Sequence, residues 1–203
     1  MVDIRSLVPD IDTDIRYAGP DNFTGAPVDG YGAARCYLLR PAAEALATLE
    51  RELRAQGLRL RIFDCYRPAR AVRQFVRWAA DPADQRTRAD YYPALDKASL
   101  VPEYISDPSG HSKGATVDLT LLRCDGPAAA TRCRKLDMGT PFDFFDPRAN
   151  TDHPHLAPAQ RDGRARLRQA MERHGFANYP MEWWHYTFQL EPEPGSYYDI
   201  PIR

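Results

Sequence analysis

Apolar residues recur every three to four positions in three segments of the chain, which is the spacing of one face of an α-helix. The pattern predicts helices over residues 41–56, from Pro68 to Ala79 and over about 163–174. Proline fits the first turn of a helix and glycine often follows the last, so Pro68 and Gly57 agree with these ends. The apolar positions of the three helices are Leu46, Leu49, Leu53, Val72, Phe75, Val76, Ala79, Leu167, Ala170 and Met171.

Alternating apolar and polar residues predict three β-strands, at residues 58–62, 116–121 and 184–190. Successive side chains of a strand point to opposite faces, so Asp118 and His185 each lie on the polar face of their own strand. If the two strands are adjacent and antiparallel in a half-buried sheet, both side chains meet above the face that the core does not use.

The order of these elements predicts an α+β fold, because helices come early, strands come later and no regular βαβ alternation is seen. The chain has no internal repeat and no low-complexity linker. We therefore expect a single compact domain over residues 1–203, with a central, mostly antiparallel sheet, helices packed on one face and the functional site on the other.

The charge balance argues against two classes of partner. The chain has 27 basic and 28 acidic residues and a formal net charge of −1, which does not favour a nucleic acid or an anionic membrane surface. No stretch approaches the roughly 20 apolar residues of a membrane span. A small-molecule partner is expected, and the sequence leaves the oligomeric state open.

The four cysteines, Cys36, Cys65, Cys124 and Cys133, show no CxxC spacing, so a structural zinc cluster is not expected. Their even number permits two disulfides with three possible connectivities. Cys124 and Cys133 flank a short polar segment that could close as a bridged loop, and free buried thiols are the alternative.

Disulfides favour an oxidising compartment such as a bacterial periplasm, with the cytoplasm as the alternative. Residues 1–14 lack the basic and apolar regions of a signal peptide. A periplasmic location therefore implies an export signal that has been removed from this sequence.

Four residues in two short segments are typical of a zinc hydrolase. His111 and Asp118 lie in one segment, and Glu182 and His185 lie in the other. Zinc takes neutral imidazole and carboxylate oxygen, and a catalytic site keeps one position open for water. His111, Asp118 and His185 are the candidate ligands, which leaves Glu182 as the base for that water.

Each of these residues has an alternative interpretation. A lone loop histidine such as His111 is usually a surface residue, and Glu182 could be a buried ion-pair partner or a fourth ligand. On a regular strand Glu182 and His185 would point to opposite faces, so the chain must turn or bulge near Trp183, and Pro180 favours such an irregular start. The presence of all four residues together favours the metal site.

Arg67 follows a predicted strand end and precedes a predicted helix, a place where sites often form. A fixed guanidinium stabilises the negative charge that develops on oxygen during attack on an amide. The alternative role for Arg67 is an ion pair with Asp64, which could also orient Arg67 or a ligand histidine. His153 and His155 are interpreted as surface residues, and His174, Trp183 and Trp184 as packed ones.

Together, these motifs resemble the D-alanyl-D-alanine dipeptidases of the VanX type, over nearly the whole chain. The matching segments are Ser109 to Asp118, Glu182 to His185, Asp64 to Pro68, Tyr17 with Asp21 to Gly25, Tyr91 to Pro93, Met138 to Asp143 and Ser196 to Asp199. The segment between Asp118 and Asp143 is several residues longer than the family pattern and includes Cys124 and Cys133.

The resemblance implies zinc-dependent hydrolysis of D-Ala-D-Ala to two D-alanines, in cell-wall peptide metabolism or glycopeptide resistance. It implies one Zn²⁺ per chain, bound by the three candidate ligands, with Glu182 as base and then acid and Arg67 on the oxyanion. Ser109, Tyr17 and Asp143 match positions that line the substrate pocket, with Asp143 placed to receive the free ammonium group.

Three alternatives remain from the sequence. A D,D- or L,D-carboxypeptidase would act on longer peptidoglycan stem peptides, whereas pairing of Asp143 with a substrate ammonium would select short, unblocked dipeptides. A zinc-bearing binding module would need neither Glu182 nor Arg67. A structural domain would bind no metal.

Overall fold

The centre of the molecule is a mixed six-stranded sheet in which antiparallel pairs dominate. The computed structural model describes residues 1–125, 132–190 and 195–203. Its strands are β1 (Val2–Asp3), β2 (Asp12–Thr13), β3 (Tyr37–Leu38), β4 (Leu58–Asp64), β5 (Thr116–Cys124), β6 (Cys133–Lys135), β7 (Phe176–Asn178) and β8 (His185–Phe188), and its α-helices are α1 (Arg40–Arg54), α2 (Ala69–Ala80), α3 (Arg88–Tyr91) and α4 (Pro158–Glu172). The strand order is β2-β4-β5-β8-β7, with β6 beside the end of β5. Within this sheet β2 and β4 form the one parallel pair, so the predicted mostly antiparallel sheet is confirmed.

The three predicted helices are confirmed as α1, α2 and α4, with small differences at their ends. The largest difference is at the start of α4, which begins at Pro158 rather than near residue 163. The Gln160 side chain accepts a hydrogen bond from the Ala157 backbone N–H at 3.0 Å and stabilises this first turn. Because that turn is polar, apolar periodicity could not reveal it.

The predicted pairing of the two strands that carry Asp118 and His185 is also confirmed. β5 and β8 are adjacent and antiparallel, and Asp118 lies directly opposite His185 in the register. On the other edge of β5, β4 runs to Asp64, two residues beyond its predicted end, and Asp64 pairs with Asp118. Three site residues are therefore held side by side by the sheet.

One face of the sheet is covered by α4 and its neighbour α1. Tyr186 points away from the face of His185, and it lies near Arg168 and Glu172 of α4. The turn that follows α4 contacts α1, since His174 Nε2 is 3.3 Å from Glu52 Oε2.

The opposite face differs from the expectation, because it is buried rather than solvated. Thr116, Asp118 and Thr120, the polar side of β5, are at most 2% exposed. A layer of aromatic side chains covers this side, and helix α2 contributes Phe75 to it. Thus α2 lies on the site side of the sheet, in contrast to the prediction that the helices pack on one face.

Both pairs of cysteines form disulfides. Cys124 pairs with Cys133, a bridge that their spacing allowed, and Cys36 pairs with Cys65. The extra length expected between Asp118 and Asp143 includes residues 126–131, which lie outside the described residues. Within the described ranges, no helix has the length and apolar character needed to cross a bilayer.

Candidate active site

His111, Asp118 and His185 reach one point from three different elements. His111 lies in a single 3₁₀ turn, Gly110–Lys113, which is capped by the Ser109 side chain and ends at Gly114 in a left-handed conformation (φ 79°). Glycine is favoured there because a Cβ atom is strained at positive φ. Asp118 lies on β5 and His185 is the first residue of β8.

The ligand atoms of these three residues all lie within 4.8 Å of one another. His111 Nε2 and His185 Nδ1 are each 3.2 Å from a carboxylate oxygen of Asp118 and 3.3 Å from each other. The far nitrogen of His111, Nδ1, donates to the Cys65 carbonyl at 2.7 Å when it carries the proton. This bond leaves the Nε2 lone pair directed at the common point.

The donor set fits a metal ion. Two imidazole nitrogens and a carboxylate oxygen are the ligands that zinc and similar divalent metals take. Asp118 Oδ1 is buried without a well-aligned hydrogen bond among the described residues, and it faces His185 Nδ1 at 3.2 Å, an arrangement that a cation between the two atoms would satisfy. Burial by itself raises the pKa of Asp118, but His111 and His185 outweigh this effect and hold the pKa well below its usual value.

Glu182 reaches the same point because the chain turns near Trp183, as predicted from the sequence. The His185 N–H donates to the Glu182 carbonyl and the Glu182 N–H to the Tyr179 carbonyl, so the chain bends just before β8. The carboxylate of Glu182 is 3.4 Å from His185 Nδ1. Burial, together with the charges of Asp118 and Asp143, raises the pKa of Glu182 well above its usual range.

Arg67 is fixed by contacts on several sides. Its Nε and Nη2 atoms lie 3.0 Å and 2.9 Å from Asp64 Oδ2, so the ion pair considered from the sequence is present. Its guanidinium also lies over the rings of Tyr17 and Phe75. Nη2 is 3.5 Å from Asp118 Oδ2, which places the positive charge at the edge of the candidate metal group.

Tyr31 holds the carboxylate of Asp64 at its other oxygen, Oδ1, and sequence reasoning missed this residue. Its hydroxyl donates to Asp64 Oδ1 at 2.7 Å, so both oxygens of Asp64 are engaged. Tyr31 lies far from Asp64 in the sequence and in no periodic pattern, so no sequence signal pointed to it.

Tyr17 and Asp143 form a buried pair in the same cavity. The Tyr17 hydroxyl donates to Asp143 Oδ2 at 2.9 Å. Asp143 has a left-handed backbone (φ 58°) and is 4% exposed. Burial, with Asp118 nearby, raises the pKa of Asp143 well above its usual range.

One cavity of about 260 Å³ collects these side chains. The residues predicted for the site that line it are Tyr17, Arg67, Ser109, His111, Asp118, Asp143, Glu182 and His185, while Asp64 lies behind Arg67. Residues 102–106 form another part of its wall, which sequence reasoning also missed. Trp184 packs in the core as expected and lines the cavity as well.

The other histidines lie outside this cavity lining. The rings of His153 and His155 meet edge to face, with centroids 5.6 Å apart. His174 bonds through Nδ1 to the Ala170 carbonyl at 2.9 Å, and its packed role agrees with the prediction.

Comparisons with known proteins place the chain in a family. The family model described as D-ala-D-ala dipeptidase, peptidase family M15, matches residues 1–202. The chain is 42% identical to a D-alanyl-D-alanine dipeptidase of Streptomyces coelicolor and 39% identical to one of Enterococcus faecium, in each case over 98% of this chain and 96% of the relative. It is 34% identical to a D-alanyl-D-alanine dipeptidase of Escherichia coli, over 97% of this chain and 87% of the relative. The chain therefore belongs to the D-ala-D-ala dipeptidase family and is a metallopeptidase.

Proposed function

We propose that this protein hydrolyses the dipeptide D-Ala-D-Ala to two D-alanines with one Zn²⁺ bound by His111, Asp118 and His185. The observation that carries the proposal is the convergence of these ligand atoms within 4.8 Å, with Glu182 and Arg67 beside them. Bound zinc would supply a Lewis acid and lower the pKa of a water in its open position.

Glu182 acts as the general base and then the general acid. Its carboxylate faces His185 from the cavity wall, next to where the attacking water would lie. In the proton-accepting form it takes the proton of that water, and it then returns the proton to the leaving nitrogen. Since burial raises the pKa of Glu182, its conjugate acid holds the proton well enough to deliver it.

Arg67 stabilises the oxyanion that forms as the amide carbonyl is attacked. Its guanidinium is held by Asp64 and by two aromatic rings, so it does not need to reorganise during the reaction. Asp64 is the positioning residue for Arg67, and Tyr31 fixes Asp64 in turn.

Asp143 receives the free ammonium group of the substrate, with Tyr17 and Ser109 on the same cavity wall. A buried carboxylate without a cation is unfavourable, and the substrate ammonium relieves this. An N-blocked stem peptide lacks that charge, so this pair favours the dipeptide over the substrates of a carboxypeptidase. The cavity volume of about 260 Å³ also favours a dipeptide over a longer peptide.

The test is release of free alanine from D-Ala-D-Ala, L-Ala-L-Ala and an N-acylated D-Ala-D-Ala peptide, each with and without a zinc chelator. Chelator-sensitive cleavage confined to free D-Ala-D-Ala is the expected result. Preference for the N-acylated peptide would show a carboxypeptidase, and no cleavage by zinc-loaded protein would favour a binding module. Elemental analysis of the purified protein identifies the metal and its stoichiometry.

The two disulfides further support an oxidising compartment such as a bacterial periplasm. Alkylation of thiols in fractionated cells, followed by mass spectrometry, tests this location. Oxidised cysteines in the periplasmic fraction are expected, whereas alkylated cysteines in the cytoplasmic fraction would contradict it.

A further inference from the structure

The disulfide between Cys36 and Cys65 lies directly behind the candidate metal site. It joins residues 29 positions apart, and both cysteines are 1% exposed. Cys36 precedes β3, and Cys65 follows the last residue of β4. The cross-link therefore anchors the chain at the point where it leaves the sheet.

Cys65 contacts the site through its main chain. Its carbonyl accepts the Nδ1 proton of His111 at 2.7 Å, which leaves Nε2 free for the metal. Hydrogen bonds of this kind fix the tautomer and the ring orientation of a histidine ligand. Cys65 also lies between Asp64 and Arg67, so its segment carries two further site residues.

The Cys65 carbonyl lies outside regular secondary structure, and its segment is held by the disulfide and by main-chain hydrogen bonds, one of which runs from the Arg67 N–H to the His111 carbonyl at 3.3 Å. The pairing of β4 with β5 ends at Asp64, and α2 begins at Ala69, so residues 65–68 belong to neither element. The Tyr66 N–H donates to the Tyr37 carbonyl at 3.0 Å, directly beside the disulfide. The Cys36–Cys65 bond and this hydrogen bond together tie the segment to β3.

The second disulfide provides a contrast within the same chain. Cys124 and Cys133 face each other in the β5–β6 ladder, at the end of β5 remote from Asp118. Cys124 lies six positions along β5 from Asp118, which is roughly 20 Å at about 3.3 Å per residue. Neither cysteine lines the cavity.

We propose that the Cys36–Cys65 disulfide is a positioning element of the metal site, which orients His111 through the Cys65 carbonyl. The inference rests on the proposed role of His111 as a ligand. Loss of an outer hydrogen-bond partner of a metal ligand costs about 10–100-fold in metal affinity. Because the carbonyl itself remains when the cross-link is removed, we expect the lower end, about tenfold.

The experiment compares Cys36→Ala/Cys65→Ala with the matched control Cys124→Ala/Cys133→Ala. Zinc affinity is measured by competition with a chromophoric chelator, and site geometry by the visible spectrum of the Co²⁺-substituted protein. The first variant should bind zinc about tenfold more weakly with an altered Co²⁺ spectrum, while the control keeps both properties of the wild type. Equal affinity and identical spectra in all three folded proteins would overturn the proposal.

A second readout does not depend on metal. Imidazole ¹⁵N chemical shifts of the zinc-free protein report which nitrogen of His111 carries the proton. We expect the Nδ1–H tautomer in the wild type and in the control, and a mixture of tautomers without the Cys36–Cys65 bond. An unchanged tautomer in that variant contradicts the proposal, whereas failure of the wild type to bind zinc contradicts the proposed function alone.

If the alanine pair does not fold, Cys36→Ser/Cys65→Ser takes its place. Its side chains are close in size to the cysteines and can hydrogen-bond to each other, which partly restores the tether. A zinc affinity below that of the wild type, together with a weaker preference for the Nδ1–H tautomer of His111, supports the positioning role. Wild-type zinc affinity with an unchanged His111 tautomer would overturn it.

Discussion

Buried acidic side chains occur in two parts of this protein, at Glu50 and in the active site, and the two parts differ in how many cations of the chain lie beside them. Glu50 on α1 is fully buried, and Arg54, Arg59 and the Leu60 backbone N–H all donate to it. The active site buries four carboxylates, and Arg67 is the single permanent cation among the described residues that line its cavity. The four are Asp64, Asp118, Asp143 and Glu182.

The difference indicates what each group is for. The Glu50 group is complete within the chain, and it joins α1 to the edge of β4. The active-site group has an excess of negative charge, which burial makes unfavourable. In the proposed function, a divalent metal among the candidate ligands and an ammonium group beside Asp143 would each supply missing positive charge.

The largest effect is expected from removal of His185, a proposed metal ligand. His185→Ala should lose stoichiometric zinc and all measurable turnover, because two ligands do not replace three. Zinc at a hundred times its Kd raises the free energy of unfolding by about 2.7 kcal/mol when it binds only the folded state, and this gain should vanish. Zinc analysis and thermal unfolding with and without zinc measure both effects.

The matched control for that variant is His153→Ala/His155→Ala, since both side chains lie outside the cavity lining. This protein should keep its zinc and its thermal response to zinc. Full zinc occupancy in His185→Ala would exclude His185 as a ligand.

The next largest effect is expected at Glu182, the proposed general base, which should affect turnover without affecting zinc binding. Glu182→Gln should keep zinc but lower kcat by about 10²–10⁴-fold, the usual contribution of a general base. Glu103→Gln is the control, because Glu103 lines the same cavity and is not one of the candidate ligands. Steady-state kinetics with zinc analysis check the prediction, and near-normal turnover in Glu182→Gln would remove it from the mechanism.

The sequence predicted those parts of the site that follow from local periodicity. Alternation placed Asp118 and His185 on polar strand faces, and adjacent antiparallel pairing sets them opposite each other. Pro180 indicated the turn that brings Glu182 round. These inferences hold because a strand's two faces are fixed by its own sequence.

The remaining features depend on contacts between distant segments. Alternation predicted a solvated face around Asp118, but aromatic rings such as Tyr17 and Phe23, from far earlier in the chain, cover it. Tyr31 reaches Asp64 in the same way. The Cys36–Cys65 pairing was one of several allowed connectivities, because cysteine spacing alone does not fix a partner.

A smaller effect tests whether Asp143 binds the substrate ammonium, as proposed. Asp143→Asn removes the charge but tolerates the left-handed backbone and can still accept the bond from Tyr17. A hydrogen bond to a charged group is worth about 1.5–3 kcal/mol, so kcat/KM for free D-Ala-D-Ala should fall about 10–150-fold. The rate on an N-acylated peptide should change less, and an equal loss on both peptides would place the substrate ammonium elsewhere.

The smallest expected effect concerns Glu50, the buried carboxylate outside the active site. Burial raises the pKa of Glu50 above its ordinary value of 4.5, although the Leu60 N–H and Arg54 oppose this. The folded state therefore binds this proton more tightly than the unfolded state, so the contribution of Glu50 to stability is largest below about pH 4.5 and falls as the pH rises through its folded pKa.

Glutamine does not titrate, so the stability of Glu50→Gln relative to the wild type should increase over that interval, by about 1.4 kcal/mol for each unit of pKa difference. Urea unfolding from pH 4 to pH 8, with Glu44→Gln on the exposed face of α1 as the control, measures the slope. A slope of opposite sign would mean that Arg54 and Arg59 more than compensate the burial of Glu50, and the contrast with the active site would then be larger than the pKa shift indicates.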